Sequence, residues 1–483
     1  MTRFPFDNTY ARLPERFFTR TAPTPVAAPR LIRLNSALAA TLGLDPDSLA
    51  GERGVEVLAG NRVPEEAEPI AMAYAGHQFG TFVPRLGDGR AVLLGEVVDR
   101  TGIRRDIQLK GAGRTPWSRG GDGRAAIGPV LREYVVSEAM AALGIRTTRS
   151  LAAVTTGQPV IREEVLPGAV LTRVASSHIR VGTFQYFASR GDVDGVRLLA
   201  DYVLARHYPE AAGAERPYHA LLAAVIDAQA ALIADWLLVG FIHGVMNTDN
   251  MSIAGETIDY GPCAFMDDYD PATVFSSIDR GGRYAYGNQP GIGAWNLTRL
   301  AECLLPLLSS DEDAAIAEAQ ETLGAYAAAF ERRYHAGLRR KLGLFTEQED
   351  DLALAQDLLL AMKANKADFT LTFRALCDAA LDPLFPTPSA LHEWLPRWRH
   401  RLEQEPSDPA ARAAAMRKAN PAYIPRNHRV EAVIRAAVDK DDLRPFEELL
   451  TVLSQPYDDQ PELAQYASPP QEDQRVLQTF CGT

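Results

Sequence analysis

The chain has 483 residues and a formal net charge of −12, with 50 Lys and Arg against 62 Asp and Glu. That length leaves room for two domains, or for one large domain with additions. The acidic balance, without any long basic run, argues against a general affinity for nucleic acid. No apolar run reaches the length of a membrane span without charges, so we expect no membrane partner.

The first residues and the cysteines predict a cytoplasmic protein. The start, MTRFPFDNTYARLPERFF, lacks the apolar core of a signal peptide, and Asp7 and Glu15 are untypical of a transit peptide. The cysteines have no metal-binding spacing, which fits a reducing compartment. They are Cys263, Cys303, Cys377 and Cys481. Cys481, near the C-terminus, is either a redox-active thiol or an incidental tail residue.

Residues 1–69 read as an irregular extension with one helix, over about Pro29 to Leu42. Between residues 70 and 180, short apolar runs alternate with glycine-rich turns, which predicts a strand-rich unit. Thr81–Leu86 and Arg90–Val98 are predicted to form a hairpin around the turn Gly87-Asp88-Gly89. Asp-Gly is common in such turns, so this loop has a purely structural interpretation.

The same loop also has a functional interpretation. Gly87 and Gly89 would let backbone N–H groups approach a phosphate closely, and Arg90 would add positive charge. The chain contains no Walker A motif, and it has no convincing G-x-G-x-x-G after a strand. These absences argue against a P-loop and against a dinucleotide-binding fold.

A strand that ends in lysine and a helix that carries glutamate follow. Arg105–Lys110 (RDIQLK) is the strand, a second glycine-rich loop covers Arg119–Arg124 (RGGDGR), and the helix is predicted from Gly128 to Leu143. A strand lysine paired with a helix glutamate is the kinase arrangement that orients phosphates. Glu133 is the preferred glutamate, and Glu138 on the same helix competes with it.

Gln158–Ala175 is predicted to form another hairpin, which turns at Pro167-Gly168. Arg173 ends its second strand, and Arg180 begins the next helix. Single arginines at such places are commonly surface charges. Beside a nucleotide cleft, however, the pair could clamp phosphate oxygens in a bidentate manner.

The segment His243–Gly261, HGVMNTDNMSIAGETIDYG, follows a buried apolar helix predicted over Tyr218 to Phe241. Met251–Ile253 and Thr257–Ile258 are predicted to pair as a hairpin, with Asp249 and Asn250 at one end and Asp259 at the other. Such oxygen ligands suit Mg²⁺ or Mn²⁺ beside phosphates. The alternative is a plain polar turn after a helix.

This segment matches the catalytic loop of a protein kinase except at one place. If Asn250 takes the role of the metal-binding Asn, and Asp259-Tyr260-Gly261 that of D-F-G, the base position falls at Val245. Valine cannot accept a proton. The chain is therefore either an inactive kinase or an enzyme with different chemistry, for which Asp249 is the only nearby carboxylate.

The order of these elements predicts an α+β, two-lobed protein-kinase-like fold. We divide it into an N-terminal extension (1–69), a strand-rich N-lobe (70–180), a C-lobe with the metal loop (181–345), a C-terminal helical region (346–456) and a mobile tail (457–483). Arg283–Gly293 is predicted to be a loop beside the cleft, where either a protein substrate docks or the chain simply connects two elements.

Several long motifs resemble those of the SelO family, also called the YdiU or selenoprotein O family. They are FDNTYARLPERFF, YAGHQFG, LGDGRAVLLGE, RDIQLKGAGRTPWSRGGDGRA, HGVMNTDNMSI, TIDYGPCAFMD and NPAYIPRNH. The resemblance implies a kinase-like pseudokinase that transfers AMP or UMP from ATP or UTP to Ser, Thr or Tyr hydroxyls of proteins. It also implies Mg²⁺ or Mn²⁺, and a nucleotide flipped relative to kinases.

The resemblance further implies a role for individual residues. Asp249 would accept the proton, and Asn250 and Asp259 would bind metal, with Asp259 also near the phosphates. Glu133 would pair with Lys110. The nucleotide would contact Gly87, Gly89, Arg90, Lys110, Asp122, Gly123, Arg173 and Arg180. Cys481 lies where eukaryotic members carry selenocysteine.

Three functions compete at this point. They are protein adenylyltransferase, a kinase with a displaced base, and a nucleotide-binding scaffold without activity. Val245 argues against the kinase. The predicted metal site argues against the scaffold, which has little need of one. Its residues, together with the lysine, are Asp249, Asn250, Asp259 and Lys110. Positive charge deep in the cleft, from Lys110, Arg173 and Arg180, would favour burying the γ-phosphate and exposing the α-phosphate.

Overall fold

The computed structural model describes residues 4–378, 381–387 and 389–480. Its first half is rich in strands and its second half is helical. The strands are β1 (Phe18–Arg20), β2 (Arg30–Leu34), β3 (Ile70–Met72), β4 (Gly76–Gln78), β5 (Thr81–Val83), β6 (Ala91–Val98), β7 (Arg104–Lys110), β8 (Ala125–Ala126), β9 (Arg149–Ile161), β10 (Val165–Ala175), β11 (Phe241–Ile242) and β12 (Ala264–Phe265).

The helices of the described ranges fall into an early group that packs on the sheet and a later group that forms the helical half. They are α1 (Ser36–Thr41), α2 (Pro46–Ala50), α3 (Glu52–Ala59), α4 (Ile127–Ala142), α5 (Val181–Ala188), α6 (Val193–His207), α7 (Pro209–Ala212), α8 (Pro217–Leu238), α9 (Gln289–Leu308), α10 (Glu312–Leu342), α11 (Asp351–Asn365), α12 (Phe369–Leu376), α13 (Ser389–Glu403), α14 (Pro409–Ala419), α15 (Asn427–Lys440) and α16 (Arg444–Leu453). With antiparallel sheet and helices together, the predicted α+β class is confirmed.

The main sheet is antiparallel and has the order β1-β3-β6-β7-β10-β9-β2, with β8 paired to β10. Helices cover both of its faces. Leu49 of α2 and Leu58 of α3 share one hydrophobic cluster with Leu109 of β7. On the other face, Leu131 of α4 shares a cluster with Leu171 of β10. The middle of the sheet is therefore an internal layer with helices on both faces.

The N-terminal extension belongs to this sheet. Its strands β1 and β2 form the two edges, next to β3 and β9 respectively. The helix predicted over Pro29 to Leu42 is wrong in its first half, because Arg30–Leu34 pairs with β9 as a strand. The helix starts only at Ser36, after Asn35 accepts a hydrogen bond from the Leu38 N–H at 3.0 Å.

The hairpin predicted around Gly87-Asp88-Gly89 is wrong. Residues 86–88 instead run back along β3, since the Asp88 N–H donates to the Met72 carbonyl at 3.0 Å. Strand β5 pairs with β4, and the two-residue turn between them is Phe79-Gly80. Both turn residues have positive φ, 52° and 85°, as the twist of a tight hairpin requires.

Two other predicted hairpins are also wrong in their pairing. The turn between β9 and β10 covers residues 162–164, while Pro167-Gly168 lies inside β10 at a register shift. Met251–Ile253 and Thr257–Ile258 do not pair with each other. Ser252 instead forms a bridge with Arg180, and Thr257 forms one with Thr147. Each partner is distant in sequence, so local pattern could not reveal it.

Helix α8 is the core of the helical half. It matches the helix predicted over Tyr218 to Phe241, ending three residues earlier at Leu238. By length and composition it could cross a membrane, but 67% of its most apolar window is buried inside the protein. That burial is typical of a helix in a protein core. Helix α9 begins at Gln289, so the loop predicted over Arg283–Gly293 is shorter than expected.

The last described residues pack against the segment around Phe275. The Thr479 N–H donates to the Phe275 carbonyl at 2.7 Å, and the Ser277 N–H donates to the Thr479 carbonyl at 3.0 Å. The tail thus lies along the segment that follows Tyr260-Gly261. Cys481, predicted as a tail thiol, lies outside the described residues.

A buried arginine joins the C-terminal region to the helical half. Arg426 of the NPAYIPRNH motif is about 1% exposed, and its Nη1 lies 2.6 Å from a carboxylate oxygen of both Asp267 and Asp368. Removing one partner from a buried ionic group leaves the others without compensation, which is strongly destabilising.

We therefore expect Arg426→Met to lower the free energy of unfolding by about 3–5 kcal/mol. Chemical denaturation followed by circular dichroism measures this. The matched control is Arg397→Met, which breaks the exposed pair with Asp357 and should cost about 0–1 kcal/mol. Equal losses in the two variants would contradict the role assigned to Arg426.

Candidate active site

A pocket with a volume of about 410 Å³ lies between the main sheet and the segment that follows α8. Almost all of the predicted site residues line it. They are Gly87, Gly89, Arg90, Lys110, Asp122, Gly123, Arg173, Arg180, Asp249, Asn250 and Asp259. Glu133 is the exception, because it lies behind the pocket wall and reaches the pocket only through the cations that it binds. The structure therefore brings the other predicted residues together in one pocket, although several of the predicted hairpins between them were wrong.

Buried ion pairs form the back wall of the pocket. Lys110 Nζ lies 2.5 Å from Glu133 Oε2 and 2.9 Å from Asp259 Oδ1. Arg173 Nε donates to Glu133 Oε1 at 2.8 Å. The predicted pairing of Lys110 with Glu133 is thus present. Glu138, the competing glutamate, instead pairs with Arg149, so it plays no part in this wall.

The two carboxylates of this wall are ionised. Burial raises the pKa of Glu133, but Arg173 and Lys110 more than offset it and hold the pKa below its usual range. Burial also raises the pKa of Asp259, yet Lys110, Arg173 and Arg90 outweigh it and hold the pKa far below the usual range. Asp259 is therefore an anion that cannot usefully accept a proton at neutral pH.

Asp249 has a different environment. Its side chain is buried in the short 3₁₀ turn Thr248–Asn250, and Oδ2 accepts a hydrogen bond from Gln78 Nε2 at 3.3 Å. Burial raises its pKa to about 6. Of the four aspartates that line the pocket, Asp88, Asp122 and Asp259 each have an Arg or Lys within 4 Å. Among these described residues, Asp249 alone has no cationic partner.

Close backbone approach fixes the position of the Asp249 carboxylate. A Cβ at Gly76 would lie 2.6 Å from Asp249 Oδ1, and one at Gly182 would lie 3.2 Å from the Asp249 Cα. Only glycine leaves room at either place, since a Cβ at Gly182 would also lie 2.1 Å from the Ala75 carbonyl oxygen. The β4–β5 hairpin, which carries Gly76 and Gln78, therefore packs directly on the turn that holds Asp249. The His77 N–H adds a hydrogen bond to Thr248 Oγ1 at 2.7 Å.

Asn250 and Asp259 line the same pocket from two sides. Asn250 Nδ2 donates to the Val245 carbonyl at 3.0 Å, which commits the amide nitrogen to the protein. Asp259 has a positive φ of 67°, which Asp tolerates better than most residues. The donor set of one amide oxygen and one ionised carboxylate suits a hard divalent cation.

Arg180 forms the side wall. Its guanidinium lies 4.1 Å from the centre of the Tyr74 ring, and Nη1 lies 3.4 Å from Asp88 Oδ1. Sequence reasoning did not identify Tyr74, and it also missed Gln78, Asn247 and Trp117, which line the pocket too. The two glycines that flank His77-Gln78-Phe79 in YAGHQFG were the available signal, since they indicate a tight turn with close packing.

The pocket is positively charged in an acidic protein. Seven of its lining residues are Arg or Lys and four are Asp, which leaves an excess of three positive charges. Lys110, Arg173 and Arg180 are the deepest of the cations, with side chains 11%, 4% and 6% exposed, while Arg162 at the rim is 24% exposed. The geometry suits a polyanion whose most highly charged end lies deepest.

The C-terminal region holds helix α4 in place from behind. Arg132, next to Glu133, donates to Asn427 Oδ1 at 3.2 Å and to the Cys263 carbonyl at 3.3 Å, and it also pairs with Glu431. One side chain thereby connects the helix that carries Glu133, the segment after Asp259, and helix α15. The NPAYIPRNH motif supplies part of this connection through Asn427.

Comparison with known proteins shows the family of the chain. A family model described as "Protein adenylyltransferase SelO" matches residues 1–454. The chain belongs to the SelO family. A protein from Rhodopseudomonas palustris (strain BisB5) is 70% identical over 488 residues, and one from Bradyrhizobium sp. (strain BTAi1) is 71% identical over 487 residues. Each alignment covers 99% of both chains, and both relatives are named protein nucleotidyltransferase YdiU.

If this SelO-family pocket binds a triphosphate, its deep arginines should control affinity. We expect Arg180→Ala and Arg173→Ala each to weaken ATP binding on the order of 10- to 100-fold, because each removes charged hydrogen bonds. Isothermal titration calorimetry with ATP and Mg²⁺ measures this. Arg149→Ala, which disturbs only the Glu138 pair, is the control. Unchanged affinity in both pocket variants would refute the clamp.

Proposed function

We propose that the protein transfers AMP from ATP to Ser, Thr or Tyr hydroxyls of other proteins and releases pyrophosphate. Membership of the SelO family, described as protein adenylyltransferases, and the name of the close relatives support protein nucleotidyltransferase activity. The specific donor, acceptor and nucleotide orientation are our proposal. The proposed contacts with the nucleotide would be made to its phosphates. Because ATP and UTP share the triphosphate, UTP is an alternative donor for the same site.

One observation carries the proposal, namely that Asp249 is the pocket aspartate without a cationic partner. Asp259 is held ionised by Lys110 and Arg173, so its affinity for a proton is low. The position at which a kinase carries its base holds Val245, which has no proton acceptor. Asp249 Oδ2 is therefore the atom best placed to accept the proton of an incoming hydroxyl.

The proposed reaction is an in-line displacement at the α-phosphorus. The acceptor oxygen forms a bond to this phosphorus while its proton passes to Asp249 Oδ2. The bond between the α-phosphorus and the bridging oxygen to the β-phosphorus breaks, and pyrophosphate leaves with the electron pair. Little covalent chemistry is asked of the protein, and so positioning and charge neutralisation account for most of the catalysis.

The burial of the cations supports a flipped nucleotide. Lys110, Arg173 and Arg180 form the deep end of the pocket, where the β- and γ-phosphates gain most from them. The α-phosphate then lies nearer to the opening and to Asp249. In a conventional kinase the terminal phosphate takes the outer position, which makes the γ-phosphorus the target.

The residues present fit Mg²⁺ or Mn²⁺. Asn250 and Asp259 would hold the ion, and the ionised state of Asp259 favours it. No group of three or more His, Cys, Asp or Glu that could hold a metal occurs in the described part of the chain, so phosphate oxygens and water would complete the coordination. When bound, the ion would neutralise phosphate charge.

Transfer of label separates the candidate reactions. We expect ATP labelled at the α-phosphate to modify protein covalently, whereas ATP labelled at the γ-phosphate should not. Asp249→Asn should reduce the transfer rate about 100-fold or more, because it removes the base while it keeps the shape. Its ATP affinity should be unchanged. The control, Asp357→Asn, alters an aspartate on α11 that forms an exposed pair with Arg397 and does not line the pocket.

Covalent label from the γ-phosphate alone would indicate a kinase, and ATP binding without transfer of either label would indicate a scaffold. Either result would overturn the proposed function. Full activity of Asp249→Asn would refute only the role of Asp249 as the base and would leave AMP transfer as the proposed reaction.

A further inference from the structure

Three arginines surround the β4–β5 hairpin, and each lies over an aromatic ring. The guanidinium carbon of Arg85 is 5.2 Å from the centre of Trp117, that of Arg190 is 3.7 Å from Tyr186, and that of Arg283 is 4.8 Å from Trp295. We call Arg85, Arg190 and Arg283 the arginine rim. None of them lines the nucleotide pocket, so the proposed reaction leaves all three unexplained.

The rim arginines are ordered without being neutralised. No carboxylate lies within 4 Å of any of them in residues 4–378, 381–387 and 389–480. Arg190 donates to the backbone carbonyls of Tyr186 at 2.7 Å and Pro84 at 2.9 Å, and Arg85 donates to that of Pro116 at 3.2 Å. Because rings and carbonyls hold the guanidinium groups, a ligand would bind them at a low cost in side-chain entropy.

The rim lies beside the proposed base. Arg190 and Arg283 both contact the hairpin that packs on Asp249, the first through Pro84 and the second against Gly80. Arg190 lies over the ring of Tyr186, which is on α5. One helical turn earlier on the same helix, Gly182 packs on the Asp249 backbone. A protein that presents a hydroxyl to Asp249 would therefore come close to Arg190 and Arg283, and Arg85 follows the end of β5 by two residues.

Unpaired, preorganised guanidinium groups recognise carboxylates strongly, often in a bidentate manner. Arginine with aromatic rings could also fit nucleic acid, but the net charge of −12 disfavours a polyanion of that length. We propose that the arginine rim binds acidic side chains that flank the acceptor hydroxyl of the protein substrate. This inference rests on the proposed function, since it specifies which acceptors that site takes.

Binding of short fluorescent peptides to the full chain tests the rim without requiring catalysis. Each peptide carries one central Ser, flanked by Glu and Asp, by Gln and Asn, or by Lys. Fluorescence anisotropy should show the tightest binding for the acidic peptide. Arg85→Gln, Arg190→Gln and Arg283→Gln should each weaken it about fivefold, the size expected for a partly exposed charge pair. The combined variant should lose the preference.

Two controls separate docking from folding. Arg399→Gln removes an exposed arginine on α13, in the helical region, and should leave peptide binding unchanged. The combined rim variant should retain the ATP affinity of the unmodified protein, because the rim does not line the pocket. In transfer assays it should raise KM for the acidic peptide and leave kcat unchanged, whereas a distorted active site would lower kcat.

Equal binding of the three peptides, or an unchanged preference in the combined variant, would overturn the inference. So would tighter binding of single-stranded RNA than of the acidic peptide, if the combined variant lost it. The proposed function fails separately: wild-type protein that binds the acidic peptide as expected but never transfers the α-phosphate label would support the rim and refute AMP transfer.

Discussion

The buried contact between Lys110, Glu133, Arg173 and Asp259 is the interaction on which the rest of the site depends. Two cations and two anions share one wall, with Lys110 within 2.9 Å of both carboxylates. Removal of one member would leave a charge uncompensated in a buried place, which is far more costly than loss of a surface pair. The wall therefore fixes Lys110, Asp259 and Arg173 relative to one another.

Much of the remaining fold keeps this wall in place. Glu133 is carried by α4, which is packed between the sheet and helices α15 and α16. Arg132 bonds the same helix to Asn427 and to the segment after Asp259. The C-terminal helices are thus structural supports of the pocket. Their contacts with α4 give a structural role to the NPAYIPRNH motif, which does not line the pocket.

Residue type and the order of elements were enough to select residues that share one pocket. Lys110, Asp259 and Val245 all line it, and each was selected by its residue type at a particular place in that order. Sequence reasoning failed for strand pairing. Turn signals such as Asp88-Gly89 are local, whereas the bridge between Ser252 and Arg180 and that between Thr257 and Thr147 depend on packing of the whole chain. Gln78 and Trp117 were missed because neither carries a charge that marks it as a phosphate ligand.

The proposed function depends on the orientation of the nucleotide, since the same residues could serve transfer from either end of a triphosphate. A crystal structure of the protein with Mn²⁺ and a non-hydrolysable ATP analogue determines this orientation. We expect the γ-phosphate to lie against Lys110, Arg173 and Arg180, with the α-phosphorus facing Asp249 Oδ2. A γ-phosphate at the pocket opening, with the α-phosphate buried among those cations, would contradict it.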